Sequence, residues 1–202
     1  MTVHVLRARR DDAAVLADVI ASAFHELALC GWLVPDQGQR RRIMPPHFQL
    51  YVDHALEYGV VYTTPARTAV AVWFPAEKIP DIDSYDVRLA AICDPHTHRF
   101  RTLDAAMHAN HPADAPPHEH LALLAVRPES QGAGLGSALL DHHHRVLDAR
   151  GVPAYLEASS LRSRALYLRH GYRPHGEPFT VPGGPSPSMW PMWRSPEGPH
   201  SP

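Results

Sequence analysis

The stretch from His120 to Ser137, HLALLAVRPESQGAGLGS, constrains this chain most. His120 to Val126 is an apolar run of strand length, and continuous rather than alternating apolarity predicts a strand buried on both faces. Arg127-Pro128 ends it, because proline has no N–H to give to a ladder. A glycine-rich turn then leads directly into a helix predicted from about Leu135 to Arg150. Glycines let the backbone approach an anion with no Cβ in the way. The first N–H groups of a helix lack internal partners, and its dipole places partial positive charge there. Strand, glycine turn and helix N-terminus in this order make a cradle for a pyrophosphate. A Walker A loop needs Gly-Lys-Ser/Thr, and the turn has no lysine. A dinucleotide fingerprint needs GxGxxG, whereas residues 132–136 read GxGxG.

Composition narrows the partners. With 202 residues, 45% of them hydrophobic, the chain can bury one substantial core, and a single domain over 1–195 with a disordered tail at 196–202 is expected. Lys plus Arg is 19 and Asp plus Glu is 21, a net charge of -2. That balance argues against a nucleic-acid partner or a polybasic membrane anchor. Two cysteines, Cys30 and Cys93, make neither a disulfide framework nor a CxxC metal spacing, and neither has a context that would activate it as a nucleophile. No signal peptide or run of ~20 apolar residues is visible, so a cytoplasmic location is expected.

Around the central stretch, Thr2 to Arg7 predicts a short strand and Asp11-Asp12 the start of a helix running to about Phe24. A second helix is predicted to begin at Pro45-Pro46. Val60 to Thr63 and Thr68 to Phe74 read as a hairpin, and Asp81 to about Met107 as one helical region. On the helix after the glycine turn, Leu135, Ala138, Leu139, Val146 and Ala149 are expected to share the apolar face. His142 and His143 then lie toward that face and His144 outward, so the three do not converge on a metal, and no metal site is expected. Met189 to Trp193 predicts the last strand, after a turn at Gly183-Gly184-Pro185. Trp32, Phe48, Tyr51, Trp73 and Tyr85 are candidates for lining a substrate pocket, with core packing expected for about half of them.

LAVRPESQGAGLGSALL resembles the acetyl-CoA-binding motif Q/R-x-x-G-x-G/A of the GNAT superfamily of N-acetyltransferases, on Gln131, Gly134 and Gly136. AYLEASSLRSRALYLRHGY is similar to the block that follows it there, on Glu157, Tyr167, Gly171 and Tyr172. Within the superfamily, AVAVWFP, VRPESQGAGLGSALL and GVPAYLEAS are similar to segments of the puromycin N-acetyltransferase-like enzymes, in the same order.

The resemblance implies an α/β fold: a mixed, mostly antiparallel central sheet splayed at the middle, with helices on both faces. It implies acetyl-CoA as cosubstrate and direct transfer to a primary amine of a small, antibiotic-like molecule. The chain would be a monomer or homodimer. A protein or peptide N-acetyltransferase, or a non-catalytic acyl-CoA sensor, is the alternative. Cofactor contacts are implied for Gln131, Gly132, Ala133, Gly134, Leu135, Gly136 and Ser137 through their backbone. Leu124, Ala125 and Val126, on the splayed strand, would present a free N–H to the thioester oxygen. Ser163 stands where related enzymes often carry an asparagine that meets pantetheine. Tyr167 is implied as cofactor contact and general acid, since a phenol with a pKa of about 10 can protonate a departing thiolate. The base stays open among Glu157, Glu119 and His120, with His118 also in reach of the strand mouth and a water chain as a further option.

Overall fold

The computed structural model describes residues 3–75, 82–112, 114–186 and 189–198. Strands β1 (Leu6–Arg7), β2 (Val60–Thr63), β3 (Ala69–Pro75), β4 (Glu119–Val126), β5 (Ala154–Ala158), β6 (Arg173–Pro174) and β7 (Trp190–Arg194) form one seven-stranded sheet in the order β1-β2-β3-β4-β5-β7-β6. All neighbouring pairs are antiparallel except β4–β5. The mixed, mostly antiparallel sheet is thus as expected.

Helices cover both faces. Val70, Val72 and Phe74 of β3 face a core built with α1 (Ala13–Phe24) and α3 (Gln37–Tyr58), while Ala69, Ala71 and Trp73 face α6 (Leu135–Arg150) and α7 (Leu161–Arg169). The alternation of β3 divides the molecule into two cores, as the period of two along a strand requires. The cavity-side layer is completed by α2 (Ala28–Leu33), α4 (Tyr85–Cys93) and α5 (Thr97–Asn110).

Three expectations give way. The second long helix starts at Gln37, and Pro45 and Pro46 lie inside it. Each interior proline costs about 3 kcal/mol. The Asp36 cap accepts the Gln39 N–H at 2.7 Å, and the buried Arg40 guanidinium donates to the carbonyls of Val34, His25 and Pro35 at 2.8, 2.7 and 3.0 Å. Charged hydrogen bonds of this kind contribute about 1.5–3 kcal/mol each, enough to hold the early turns in place. The region after Ile82 is two helices, interrupted at Asp94-Pro95. Asp81 lies outside the described residues. On α6 the buried stripe is Leu139, Leu140, His143, His144 and Leu147, and Val146 is exposed. His144 therefore faces in, not out: its Nε2 lies 3.2 Å from the Tyr172 hydroxyl.

His47 and His144 are buried, and burial lowers the pKa of each to about 3. A histidine in the unfolded chain titrates near ~6.5. Between these values the unfolded chain binds protons that the folded chain refuses. Stability is therefore full above pH ~6.5 and falls as the pH drops, by up to ~1.4 kcal/mol per pH unit per histidine. The urea midpoint should fall between about pH 7 and about pH 5. His47→Phe, placed among Phe48, Tyr51 and Phe100, should make that fall shallower by removing the contribution of His47.

Candidate active site

Strands β4 and β5 pair only at Glu119–Ala154 and His120–Tyr155 and then diverge. From Leu121 to Val126 the edge of β4 that faces β5 has no strand beside it among the described residues, while its other edge stays paired with β3 through Ala69–Val126. The β3–β4 register shifts between Val72–Leu123 and Trp73–Leu121, which leaves Ala122 as an extra residue, a bulge. The bulge resets the alternation of β4. Glu119, Leu121, Leu124 and Val126 turn to the α6 side, and His120, Ala122, Leu123 and Ala125 to the other. The splay opens one continuous cavity of about 830 Å³, running from residues 130–137 past β4 to the helices on the other side.

At one end of the cavity the glycine turn meets the first turn of α6. Gly132 and Gly134 have φ of +82° and +75°, a conformation open to glycine and strained for other residues, and Gly134 caps the helix. Ser130, Gln131, Gly132, Gly134, Leu135, Gly136 and Ser137 all line the cavity. Ala133 does not, and is exposed. The Gln131 side chain donates to the Val126 carbonyl at 3.1 Å, which ties the turn to the end of β4. The Ser137 hydroxyl is engaged by His170 Nε2 at 2.9 Å. Ser160, Arg162, Ser163 and Arg169 of the α7 region close this end, two of them cationic. The Ser163 hydroxyl donates to the Ser160 carbonyl at 3.0 Å as part of the cap of α7.

Midway, Tyr167 lines the cavity beside Leu166, and among the described residues its hydroxyl has no protein hydrogen-bond partner. Burial raises its pKa above the ordinary value. Across the gap, His120 Nε2 lies 2.9 Å from Glu157 Oε2, both side chains buried. Burial alone would raise the Glu157 pKa. The neighbouring His120, Tyr155 and His111 outweigh it and hold the carboxyl below its ordinary value. Glu157 is then ionised and accepts from His120 Nε2; His120 Nδ1 is buried without a protein partner. His111 and His118 pack around this pair, with His111 ring centroids 5.5 Å from His120 and 5.1 Å from Tyr155. The pKa of each is lowered by burial, that of His111 to about 4.

Glu119, considered beside His120 and Glu157 as a base, points to the opposite face and does not line the cavity. Its two oxygens are bound by His143 Nε2 at 2.7 Å and Arg150 Nη1 at 2.6 Å. Burial would raise its pKa, and these two partners more than reverse that. The parity of β4 decides the matter, and parity is not readable without knowing which face of the strand carries α6.

At the far end, Phe48, Tyr51 and Tyr85 line the cavity, while Trp73 is buried against His143 on the opposite face and Trp32 lies under Arg99. Sequence reasoning passed over Asp104, Met107, His108 and His111. The spacing of Leu103, Asp104, Met107, His108 and His111 by three and four was the available signal that α5 presents one face to the site.

Residues 101–174 match the family described as the acetyltransferase (GNAT) domain. The fold matches a histone acetyltransferase HPA2 and related acetyltransferase of Corynebacterium glutamicum with TM-score 0.69, 24% identity and 100% coverage of both chains. It matches arylalkylamine N-acetyltransferase 2 of Aedes aegypti with TM-score 0.68 and 14% identity, over 98% of this chain and 100% of that one. A mycothiol acetyltransferase of Beutenbergia cavernae is 47% identical over 55 residues, 26% of this chain; the match spans 18% of that relative's length. The fold is the GNAT fold. GNAT acetyltransferases use acetyl-CoA as cosubstrate.

Gly134→Val places a β-branched residue at φ +75°, with nothing within 4 Å of the new Cβ to clash. The cost is therefore in the backbone, about 1–2 kcal/mol, and calorimetry should show acetyl-CoA binding weakened about tenfold. Glu119→Gln should instead lower the melting temperature by several degrees, through loss of about 1–2 kcal/mol. It should leave kcat within about twofold of the parent, because the side chain faces away from the cavity.

Proposed function

We propose that this chain is an acetyl-CoA-dependent N-acetyltransferase acting on a primary amine of a small molecule by direct transfer. The carrying observation is the single cavity that joins the glycine turn, Tyr167 and the His120–Glu157 pair to an aromatic-lined end closed by α2, α3 and α5. An extended peptide needs an open groove. An end walled by Phe48, Tyr51 and Tyr85 suits a compact acceptor with an apolar or flat part. The similarity of AVAVWFP and GVPAYLEAS to puromycin N-acetyltransferase-like segments supports an antibiotic-like acceptor. The arylalkylamine acetyltransferase among the structural relatives is consistent with an aromatic amine.

Acetyl-CoA supplies the acetyl group: a bond forms between the amine nitrogen and the carbonyl carbon, the C–S bond breaks, and sulfur leaves as thiolate. The N–H groups of the glycine turn and the first turn of α6 hold the pyrophosphate, with Arg162 and Arg169 adding charge. The unpaired edge of β4 hydrogen-bonds the pantetheine arm, and an N–H beside the Ala122 bulge stabilises the developing oxyanion. His120 Nδ1 takes the amine proton, and Glu157 stabilises the resulting imidazolium through Nε2. Tyr167, kept protonated by burial, serves the departing sulfur as hydrogen-bond donor and then as acid.

Thiol release from acetyl-CoA across a panel of amines tests this reading. Turnover with compact aromatic amines and none with peptides is expected; tight acetyl-CoA binding without turnover of any amine would instead make the protein an acyl-CoA sensor. Tyr167→Phe should lower kcat about a hundredfold with little change in KM for acetyl-CoA. Glu157→Gln should lower kcat by about tenfold or more. Because the ionised Glu157 fixes the His120 tautomer, the loss should persist at every pH where the parent is active.

A further inference from the structure

The acceptor end of the cavity holds a carboxylate that the reaction does not use. Asp104 lies on α5 and lines the cavity. Its Oδ2 accepts the Tyr85 hydroxyl at 2.9 Å, and the Tyr51 hydroxyl lies 3.0 Å from that of Tyr85. Since Tyr85 donates to Asp104, Tyr51 donates to the Tyr85 oxygen. Among the described residues no Lys, Arg or His nitrogen forms an ion pair with Asp104. His47, which packs on Tyr51 at 5.4 Å, stays neutral because burial lowers its pKa to about 3. A mostly buried carboxylate without a cation is costly, and burial raises the Asp104 pKa to about 6.

We infer that Asp104, Tyr85 and Tyr51 form a subsite for a second, cationic group of the acceptor, so that the acceptor is a dication with an apolar spacer. The inference rests on reading this cavity as the site of amine acetylation. The cation sits against Asp104 and the faces of the two tyrosine rings, where both ionic and cation–π attraction act on a partly desolvated charge. The spacing follows from α5. His111, which packs on His120, caps the C-terminus of α5 seven residues beyond Asp104 and lines the same cavity. At 1.5 Å per residue the two polar centres are about 10 Å apart along the helix axis. Met107 and His108 line the stretch between them, and Leu103 sits just beyond Asp104. An acceptor whose reacting amine is at His120 and whose second nitrogen is at Asp104 spans the pocket.

Aliphatic probes of graded charge and length test this. Heptamethylenediamine has nitrogens about 10 Å apart when extended, close to the span read from α5; heptylamine has the same chain with one nitrogen, and aminoheptanoic acid puts a negative group at the far end. The intact protein should acetylate the diamine with a kcat/KM at least about tenfold above heptylamine, mostly through KM, and should reject the amino acid. Asp104→Asn, which keeps an oxygen for Tyr85, should bring the diamine within about twofold of heptylamine and leave heptylamine itself unchanged. Tyr85→Phe should give a smaller loss in the same direction. A parent that does not discriminate the two amines, or an Asp104→Asn variant that still does, would overturn the subsite. If no amine is acetylated, the proposed function fails by itself. Calorimetry of the same probes on the CoA-loaded protein then decides the subsite, which stands only if the diamine binds about tenfold tighter than heptylamine and Asp104→Asn abolishes that preference.

Discussion

The site depends on the early end of pairing between β4 and β5. Two parallel pairs, Glu119–Ala154 and His120–Tyr155, fix the strands at one end, and no further pair joins them among the described residues. Backbone N–H and C=O groups on a strand edge demand partners, so an unpaired edge inside a protein is costly unless a ligand or water fills it. The gap can stay open because each strand is anchored on its outer side, β4 along β3 and β5 along β7 through five pairs from Ala154–Arg194 to Ala158–Trp190. Both halves of the sheet are thus complete without each other, and the cavity between them does not threaten either core.

The Ala122 bulge determines what that gap contains. Without the extra residue, Leu123 and Ala125 would exchange faces with Leu124 and Val126, and both cores would have to repack around side chains of different size. The same parity sends His120 into the cavity and Glu119 to α6, where Arg150 and His143 hold it. Adjacent residues on one strand thereby take opposite tasks: one carries the proton chemistry, the other locks the helix that bears the glycine turn.

Much of this was legible in the sequence. The apolar run ending at Val126, the glycines at 132–136 and the helix to Arg150 carry strong local signals, and the described elements agree with them closely. The hairpin of β2 and β3 was equally plain, because its β-branched and aromatic residues are bounded by Thr64-Pro65. What was hidden depended on distant contacts. Pro45 and Pro46 mark a helix start by every local rule, and only the three carbonyls around Arg40 explain why the helix begins earlier. His144 was misplaced because Val146 and Ala149 suggested a phase about one residue off from the stripe that packs on the sheet. Asp104 left a spacing signal on α5, but its importance lies in Tyr51 and Tyr85, which come from two other helices.

Buried polar groups sort by face according to whether the chain itself satisfies them. On the α6 side, both oxygens of Glu119 are bound, His144 meets Tyr172, and Asp148 takes two bonds from Arg194 at 2.7 and 2.8 Å. Trp73 Nε1 is the exception there. On the cavity side, His120 Nδ1, Glu157 Oε1, His118 Nε2 and His47 Nδ1 lack protein partners, and Asp104 lacks a cation. Each unsatisfied buried group costs about 1–3 kcal/mol, so a concentration of them on one face is a standing expense that packing alone does not explain. The same groups form two polar centres at opposite ends of one helix face, one able to take a proton and the other negatively charged. A ligand that brings an amine to the first and a cation to the second relieves both at once. Binding energy gathered at Asp104 then orients the amine at His120, where it counts toward catalysis.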